Sequence, residues 1–394
     1  LNINILNIEI QEFINNNLNS DISKLLLKKT FFEAISNHEL IEQIEAKKKS
    51  KKKLPTWFNT KKIYYPNKLN IEQTSSEISA KYKASLISGN SIIDITGGLG
   101  IDSYYFSKQF KKVTHCEINT KLSHLVAYNY KQLEVSNIKT INQDGIQFLK
   151  TSNKNFDWIY IDPSRRHDRK GKVFYLKDCL PNVPDNLYAL FKHSKNILIK
   201  ASPMLDITVG INELQFVKTI HIIAIKNEVK ELLFHLEEGF TKEIKIETVN
   251  INQHSSQKFD FTLNEEANAF SNYGDVINYL YEPNSAILKS GAFNLVSQKL
   301  KLKKLHKHSH LYTSKVLVNF PGRTFKINNA IPYDKKAILK AISNIKINIS
   351  TRNFPENPQQ LKAKFKFKDG GDIYVFFTTQ GNKEKIVLIC EKLK

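Results

Sequence analysis

The sequence predicts an α/β fold: a parallel sheet flanked by helices, preceded by an N-terminal helical region and followed by a small α+β module. Three observations predict it. Short β-branched apolar runs alternate with helix-like stretches between residues 91 and 225, the pattern of strands joined by helical crossovers. Four of those runs end at or just before an acid: Asp94, Glu117, Asp144 and Asp162. After the first acid, Thr96 and the glycines Gly97, Gly98 and Gly100 lead into Asp102 and a helix-like stretch. Glycine lets backbone turn tightly and approach a ligand with no Cβ in the way, and a helix start behind it favours an anionic or polar ligand group.

Residues 1–72 read as helical, with apolar residues at three- and four-residue intervals over 8–17, 21–36 and 38–49. Six lysines and one serine fill 47–53. Such a block is either a solvated, self-repelling segment or, beside Trp57, Phe58, Tyr64 and Tyr65, a basic arm with stacking surfaces. Gln73-Thr74-Ser75-Ser76-Glu77 reads as a helix start, and the helix through Ala80 and Ala84 feeds the first strand. Strands are expected near 91–95, 113–118, 138–141, 156–161 and 196–200. Runs at 219–225 and 231–236 read as an antiparallel pair closing the sheet, so this domain is assigned 73–240. Residues 241–323 are assigned to a connector and a further small segment, and 324–394 to the α+β module. There, strands are expected at 311–318, 324–327, 373–378 and 385–390 and a helix at 335–344, with Gln380-Gly381-Asn382 as a hairpin turn.

The 394 residues are 41% hydrophobic and 25% charged, as in a globular protein with a real core. No run approaches the roughly 20 apolar residues of a membrane span, and the N-terminus lacks the basic and cleavage regions of a signal peptide. Cys116, Cys179 and Cys390 have neither metal nor disulfide spacing, which points to a reducing compartment and a cytoplasmic location. His306, His308 and His310 alternate, but no cysteine or acid nearby completes a zinc shell; a solvated turn is expected and no metal. The net charge of +21 points to a polyanionic partner, although a genome that favours Lys, Asn and Ile codons supplies part of it.

The arginines are more informative. There are five: Arg165, Arg166, Arg169, Arg323 and Arg352. Three follow Asp162-Pro163 directly, and a guanidinium presents a planar fork to phosphates or base edges that an ammonium cannot. The alternative is an ion-pair cluster with Asp168 or Asp178. Lys200, ending the fifth strand, sits on the ligand-binding edge of such a sheet; it contacts either a substrate phosphate or a neighbouring acid.

The order of acids at successive strand ends resembles that of the class I S-adenosylmethionine-dependent methyltransferases. The resemblance implies a Rossmann-like methyltransferase sheet in which Asp94, Thr96, Gly97, Gly98, Gly100 and Asp102 surround the methionine part of the cofactor. It also implies that Glu117 takes the ribose hydroxyls, Asp144 the adenine amine, and Asp162 and Pro163 the transferring methyl. Thr96 stands where the family usually has its first loop glycine. The G-x-G-x-x-G pattern of dinucleotide enzymes is absent. Tyr-Glu-Pro-Asn-Ser-Ala at 281–286, Ser-Thr-Arg-Asn-Phe-Pro at 350–355 and Lys-Asp-Gly-Gly-Asp at 368–372 resemble a bacterial methyltransferase group with a ferredoxin-like segment and a THUMP-like C-terminal domain. That likeness implies an RNA substrate, with tRNA or rRNA expected; Arg165, Arg166 and Lys200, by their position beside the expected reaction centre, are the candidate contacts. The turn reads Asp-Pro-Ser-Arg and not the Asp/Asn-Pro-Pro-aromatic of amino-methylases, so other ring or exocyclic nitrogens stay open as targets. Two other readings stand beside this one: an RNA-binding or assembly protein with a vestigial cofactor pocket, and a methyltransferase for a small molecule or protein.

Overall fold

The structure, a computed structural model, describes residues 1–165, 175–253, 255–342 and 345–393. Its backbone divides into two compact units, Leu1–Lys218 with Leu233–Thr241, and Thr219–Leu232 with Lys242–Lys394.

The first unit opens with helices. α1 (Ile8–Asn16) turns Ile10 and Ile14 inward, and α2 (Ile22–Leu26) is capped by Asp21. The helix expected over 21–36 stops at α2. Asn37 accepts a hydrogen bond from Phe31 N and donates to the carbonyls of Lys28 and Lys29, satisfying that backbone without helix. Phe31 and Phe32 then pack on Phe13, with centroids 4.6 and 5.5 Å away. A capping box of Ser36 and Glu39 starts α3 (Asn37–Lys53), so the lysine block is helical, with Lys48, Lys49, Lys51 and Lys52 solvated. It forms the last turns of α3, where cations suit the helix dipole; Lys47 lies buried near the rings of Phe58 and Tyr65. α4 (Pro55–Asn59), α5 (Lys68–Gln73) and α6 (Glu77–Leu86) follow.

The parallel core comes next. Strands β1 (Gly89–Asp94), β2 (Phe110–Cys116), β3 (Ile138–Ile141) and β4 (Trp158–Ile161) alternate with α7 (Ile101–Phe106), α8 (Thr120–Gln132) and α9 (Gly145–Thr151). A short antiparallel pair, β5 (Ser164–Arg165) and β6 (Cys179–Leu180), precedes α10 (Val183–Phe191), β7 (Asn196–Ala201) and α11 (Ile207–Glu213). The strand order is β7-β4-β1-β2-β3, all parallel. Ile92, Ile93, Ile159, Ile161, Ile197 and Ile199 are fully buried, as expected of strands covered by helices on both faces. The carboxyl ends of these five strands form one rim, which carries the acids.

The division falls within the next two strands: β8 (Val217–Ile225) and β9 (Glu228–Glu237) are joined at Lys226 and Asn227, both left-handed, the turn that matches strand twist. The sheet does not close with this pair, as the sequence had suggested. β10 (Lys245–Ile251) runs parallel beside β8 from Thr219 to Ile225, and β11 (Ser256–Thr262) pairs antiparallel with β10. Next come α12 (Leu263–Ala267), β12 (Asn272–Tyr273), β13 (Tyr279–Pro283), α13 (Ser285–Ser290), α14 (Phe293–Lys299), β14 (Lys303–Lys304) and β15 (Tyr312–Ser314). The chain continues through β16 (Gly322–Pro332), α15 (Lys335–Ile342), β17 (Lys346–Arg352), α16 (Pro358–Phe365), β18 (Lys368–Asp369), β19 (Ile373–Gln380) and β20 (Glu384–Lys392). The strand expected at 311–318 shortens to β15, leaving Val316 and Leu317 exposed. The one expected at 324–327 lengthens to β16, with a bulge between Ile327 and Asn329.

The second sheet has the order β12-β14-β15-β13-β16-β20-β19-β17-β18. Leu280, Leu305, Phe325, Phe376 and Leu388 pack on one face, and α15 and α16 close the other over Ile347, Val375, Phe377 and Val387. Among the described residues no helix is long and apolar enough to cross a membrane.

Candidate active site

The loop after β1 is tied down on three sides. Asp94 accepts hydrogen bonds from Thr96 N (3.0 Å) and Ser103 Oγ (2.8 Å). Thr96 Oγ1 in turn accepts from Asp162 N at 2.7 Å, so the hydroxyl in place of a glycine joins the ends of β1 and β4. Gly97 N donates to the Cys116 carbonyl at the end of β2.

The glycines serve different ends. A Cβ on Gly97 would meet His115 Nε2 at 2.2 Å, and one on Gly100 would meet Tyr130 Oη at 2.1 Å. Both positions are filled by packing. Gly98 differs: its φ is +54°, yet a Cβ there would find only Thr96 O, at 3.8 Å. Its outer face is open. Beneath the loop His115 is fully buried, and burial pushes its imidazole down to about 4, so it packs as a neutral ring.

Around this loop stand the acids. Glu117 Oε2 accepts from Gly98 N at 2.9 Å and Oε1 from Asn119 N at 2.7 Å, which fixes its carboxylate against the open glycine. Asp144 caps α9 through Gln147 N, and Asn142 Nδ2 donates to the Glu117 carbonyl. Gly145 comes so near Ile95 that a Cβ would lie 2.3 Å from its carbonyl, which brings the turn carrying Asp144 onto the loop. Asp94 is 1% exposed, and burial pushes its carboxyl up to about 7 against the pull of Ser103 and Thr96.

Asp102 departs from its expected cofactor role. It turns inward, with Oδ1 3.0 Å from Lys83 Nζ and Oδ2 accepting from Ser75 Oγ and Tyr160 Oη, both at 2.8 Å. Burial works to raise its pKa, but the charges of Lys83 and Lys200 outweigh that and hold it below the usual range. It anchors the start of α7 to α6 and β4. Nothing local in the sequence announced Lys83, Ser75 or Tyr160, since the contacts run over separations of 19, 27 and 58 residues.

On the β4 side, Lys200 Nζ lies 2.7 Å from Asp162 Oδ2, with the two side chains 13% and 36% exposed. Pro163 is buried behind Asp162. Arg165 is placed by its backbone pairing with Cys179; Arg166 and Arg169 lie outside the described residues. Burial pushes the Cys116 and Cys390 thiols up to about 12, far from the thiolate a covalent mechanism needs. His306 Nδ1 accepts from His308 N, and His310 stacks on Phe293 at 3.6 Å. Among the described residues no group of three or more His, Cys, Asp or Glu is arranged to hold a metal.

Comparison with a solved protein bears on this arrangement. A "putative methyltransferase" from Porphyromonas gingivalis W83 is 31% identical, with a TM-score of 0.89 over 99% of this chain and 98% of that one. The chain belongs to this methyltransferase family. Residues 279–321 match the ferredoxin-like domain and residues 322–392 the THUMP domain-like family. An uncharacterized RNA methyltransferase of Mycoplasma mobile is 27% identical over 142 residues, 33% of this chain and 39% of that protein. The chain thus spans well under half of that relative's length. This methyltransferase carries its open glycine and its acids on the rim of one parallel sheet, as class I methyltransferases do.

Proposed function

We propose that this methyltransferase uses S-adenosylmethionine to methylate a nucleotide of RNA, in tRNA or rRNA. The observation that carries the reading is the uncovered left-handed Gly98 with the Glu117 carboxylate beneath it. Bare backbone beside a fixed acid, with Asp144 on the adjoining strand end, suits a ribose and an adenine lying across the rim. The donor set therefore fits the cofactor. Each Glu117 oxygen accepts one backbone N–H and keeps a lone pair for a ribose hydroxyl.

When bound, the cofactor supplies an electrophilic methyl carbon on a cationic sulfur. The chain's own task is to align the nucleophile, exclude water and receive a proton. Asp162 and the Pro163 carbonyl orient the nucleophile, with Asp162 taking the proton. Lys200 holds that carboxylate in place and offers a cation to a substrate phosphate. Arg165 and Arg166 are assigned to the substrate. The RNA reading is supported by the domain match at 322–392, by the relative named as an RNA methyltransferase, and by the charge of +21.

Calorimetry tests the cofactor: S-adenosylmethionine should bind, and Glu117→Ala and Asp144→Ala should weaken it. Absence of binding ends the enzyme reading. Labelled methyl should enter RNA, and Asp162→Asn should slow transfer about 10²–10⁴-fold with cofactor affinity retained. Transfer to protein or small metabolites, with none to RNA, would end the RNA assignment.

A further inference from the structure

Glu282, at the end of β13, is 2% exposed yet charged groups meet it from two strands. Arg323, its register partner on β16, donates from Nε to Glu282 Oε2 at 2.5 Å, and its Nη2 reaches the same oxygen. Arg352, ending β17, brings Nη2 to 2.5 Å from Glu282 Oε1. Three strands separate β13 from β17 in the sheet order, a span of about 19 Å if the sheet were flat. That exceeds the reach of the two side chains, so the sheet curls to bring them together. Gly322 permits the close approach, because a Cβ there would lie 2.1 Å from the Glu282 carbonyl.

One carboxylate faces two guanidiniums, so the cluster keeps a net positive charge. Its acid is buried while its cations stay in reach of solvent, at 30% and 36% exposure. The buried acid fixes both forks, Arg352 Nη1 also donates to the Thr351 carbonyl, and each arginine keeps about a third of its side chain exposed. The surroundings are positive as well. Burial, with Lys304, His308 and Arg352 close by, pushes His310 down to about 4. Residues 279–392 hold 21 Lys and Arg against 7 Asp and Glu, whereas the other 280 residues hold 38 against 31. Codon usage acting on the whole chain would not concentrate the excess in this segment. A chain that is otherwise lysine-rich places two of its five arginines here, where a fork has a use that a point charge lacks.

We propose that Arg323 and Arg352, held by Glu282, form a clamp for a backbone phosphate of RNA in the second unit. The inference rests on the RNA reading above and adds the residues that grip the strand. The guanidinium N–H groups not taken up by Glu282 and Thr351 donate to phosphate oxygens, and the contact is independent of base sequence.

The full-length chain tests it. Binding of a labelled RNA hairpin with a single-stranded end is measured across several salt concentrations for the native protein, Arg352→Gln, Arg352→Lys and Arg323→Lys, with thermal melting of each. Arg352→Gln should weaken binding about tenfold and lessen the dependence of log K on log salt by about one. The two lysine variants keep the charge and should lose several-fold in affinity with the salt dependence nearly intact. Unchanged affinity and salt dependence in folded Arg352→Gln and Arg323→Lys overturn the clamp while leaving the RNA reading standing. Loss of inorganic phosphate binding alone, or Arg-dependent binding of phosphatidylglycerol vesicles with none of RNA, also overturns it. Calorimetry with S-adenosylmethionine should give the same affinity for all variants. If RNA binds through the clamp but accepts no methyl, the proposed activity fails and the clamp survives.

Discussion

Two buried carboxylates in this molecule are neutralised in opposite ways. Asp102 in the first unit meets Lys83, which is fully buried, together with Ser75 and Tyr160. Glu282 in the second unit meets two arginines that remain a third exposed. The first arrangement leaves no group for a ligand, because every partner is inside. The second keeps its acid dry and its cations available. Where the cation sits, and not how strongly it is paired, separates an anchor from a binding surface.

The largest expected effect tests that contrast directly. Lys83→Met strands Asp102 in a dry site and should cost about 3–5 kcal/mol in denaturant unfolding. Arg352→Gln leaves Glu282 with Arg323 and should cost only about 1–2 kcal/mol. Equal losses would break the comparison.

Next is the loop. Gly97→Ala forces a Cβ into His115 and should cost about 1–3 kcal/mol along with cofactor binding. Pairing it with His115→Ala should recover part of the stability, a coupling that a double-mutant cycle reads. Gly98→Ala meets no neighbour and should cost only the left-handed backbone penalty of about 1–2 kcal/mol, yet it should still impair cofactor binding by covering the open face.

Titration gives a finer test. With its pKa raised to about 7, folded Asp94 holds a proton that the unfolded chain gives up near 4, so its contribution to stability falls as pH rises from about 4 to 7. His115, lowered to about 4, does the reverse: its unfolded form gains a proton below about 6.5, so stability falls as pH drops from there towards 4. Each slope approaches about 1.4 kcal/mol per pH unit, and between pH 4 and 6.5 they oppose. Asp94→Asn should remove the falling slope, so its stability, measured by melting from pH 4 to 7, should rise with pH relative to the native protein. A smaller effect, about 1 kcal/mol, is expected for Thr96→Gly, which deprives Asp162 N of its acceptor; methyl-transfer rates check it.

Much of the first unit was legible. The runs at 91–95, 138–141 and 196–200 became β1, β3 and β7 within a residue or two; β1 and β7 bury continuous apolar segments, whereas β3 is a partly exposed edge strand of Ile-Lys-Thr-Ile. The helix start expected over 73–77 falls at Ser76, whose side chain caps α6 through Ser79 N. Other expectations failed where distant contacts outweighed local pattern. Residues 27–36 left the helix because Asn37 and Phe13 offered better partners. β10 and β11 bury alternate residues, Ile246 and Thr248 in one and Phe259 and Phe261 in the other, but only the pair in β11 is apolar, a weak period-two signal within the segment assigned to a connector. The lysine block was ambiguous by charge alone, since its place in α3 depended on the capping box at Ser36, eleven residues upstream.

By itself, the sequence determined the order of strands and helices, the turn glycines and the acids at the strand ends, since these depend on neighbours within a few residues. Only the tertiary structure decided which acid faces outward. Asp94, Asp102 and Glu117 look alike in sequence, yet burial makes the first a proton-holding core group, partners 19 to 58 residues away make the second an ion-paired anchor, and a backbone N–H 19 residues away makes the third the floor beneath open backbone. The physical reason is that the cost of burying charge depends on what surrounds it in space, and those surroundings come from residues far apart along the chain.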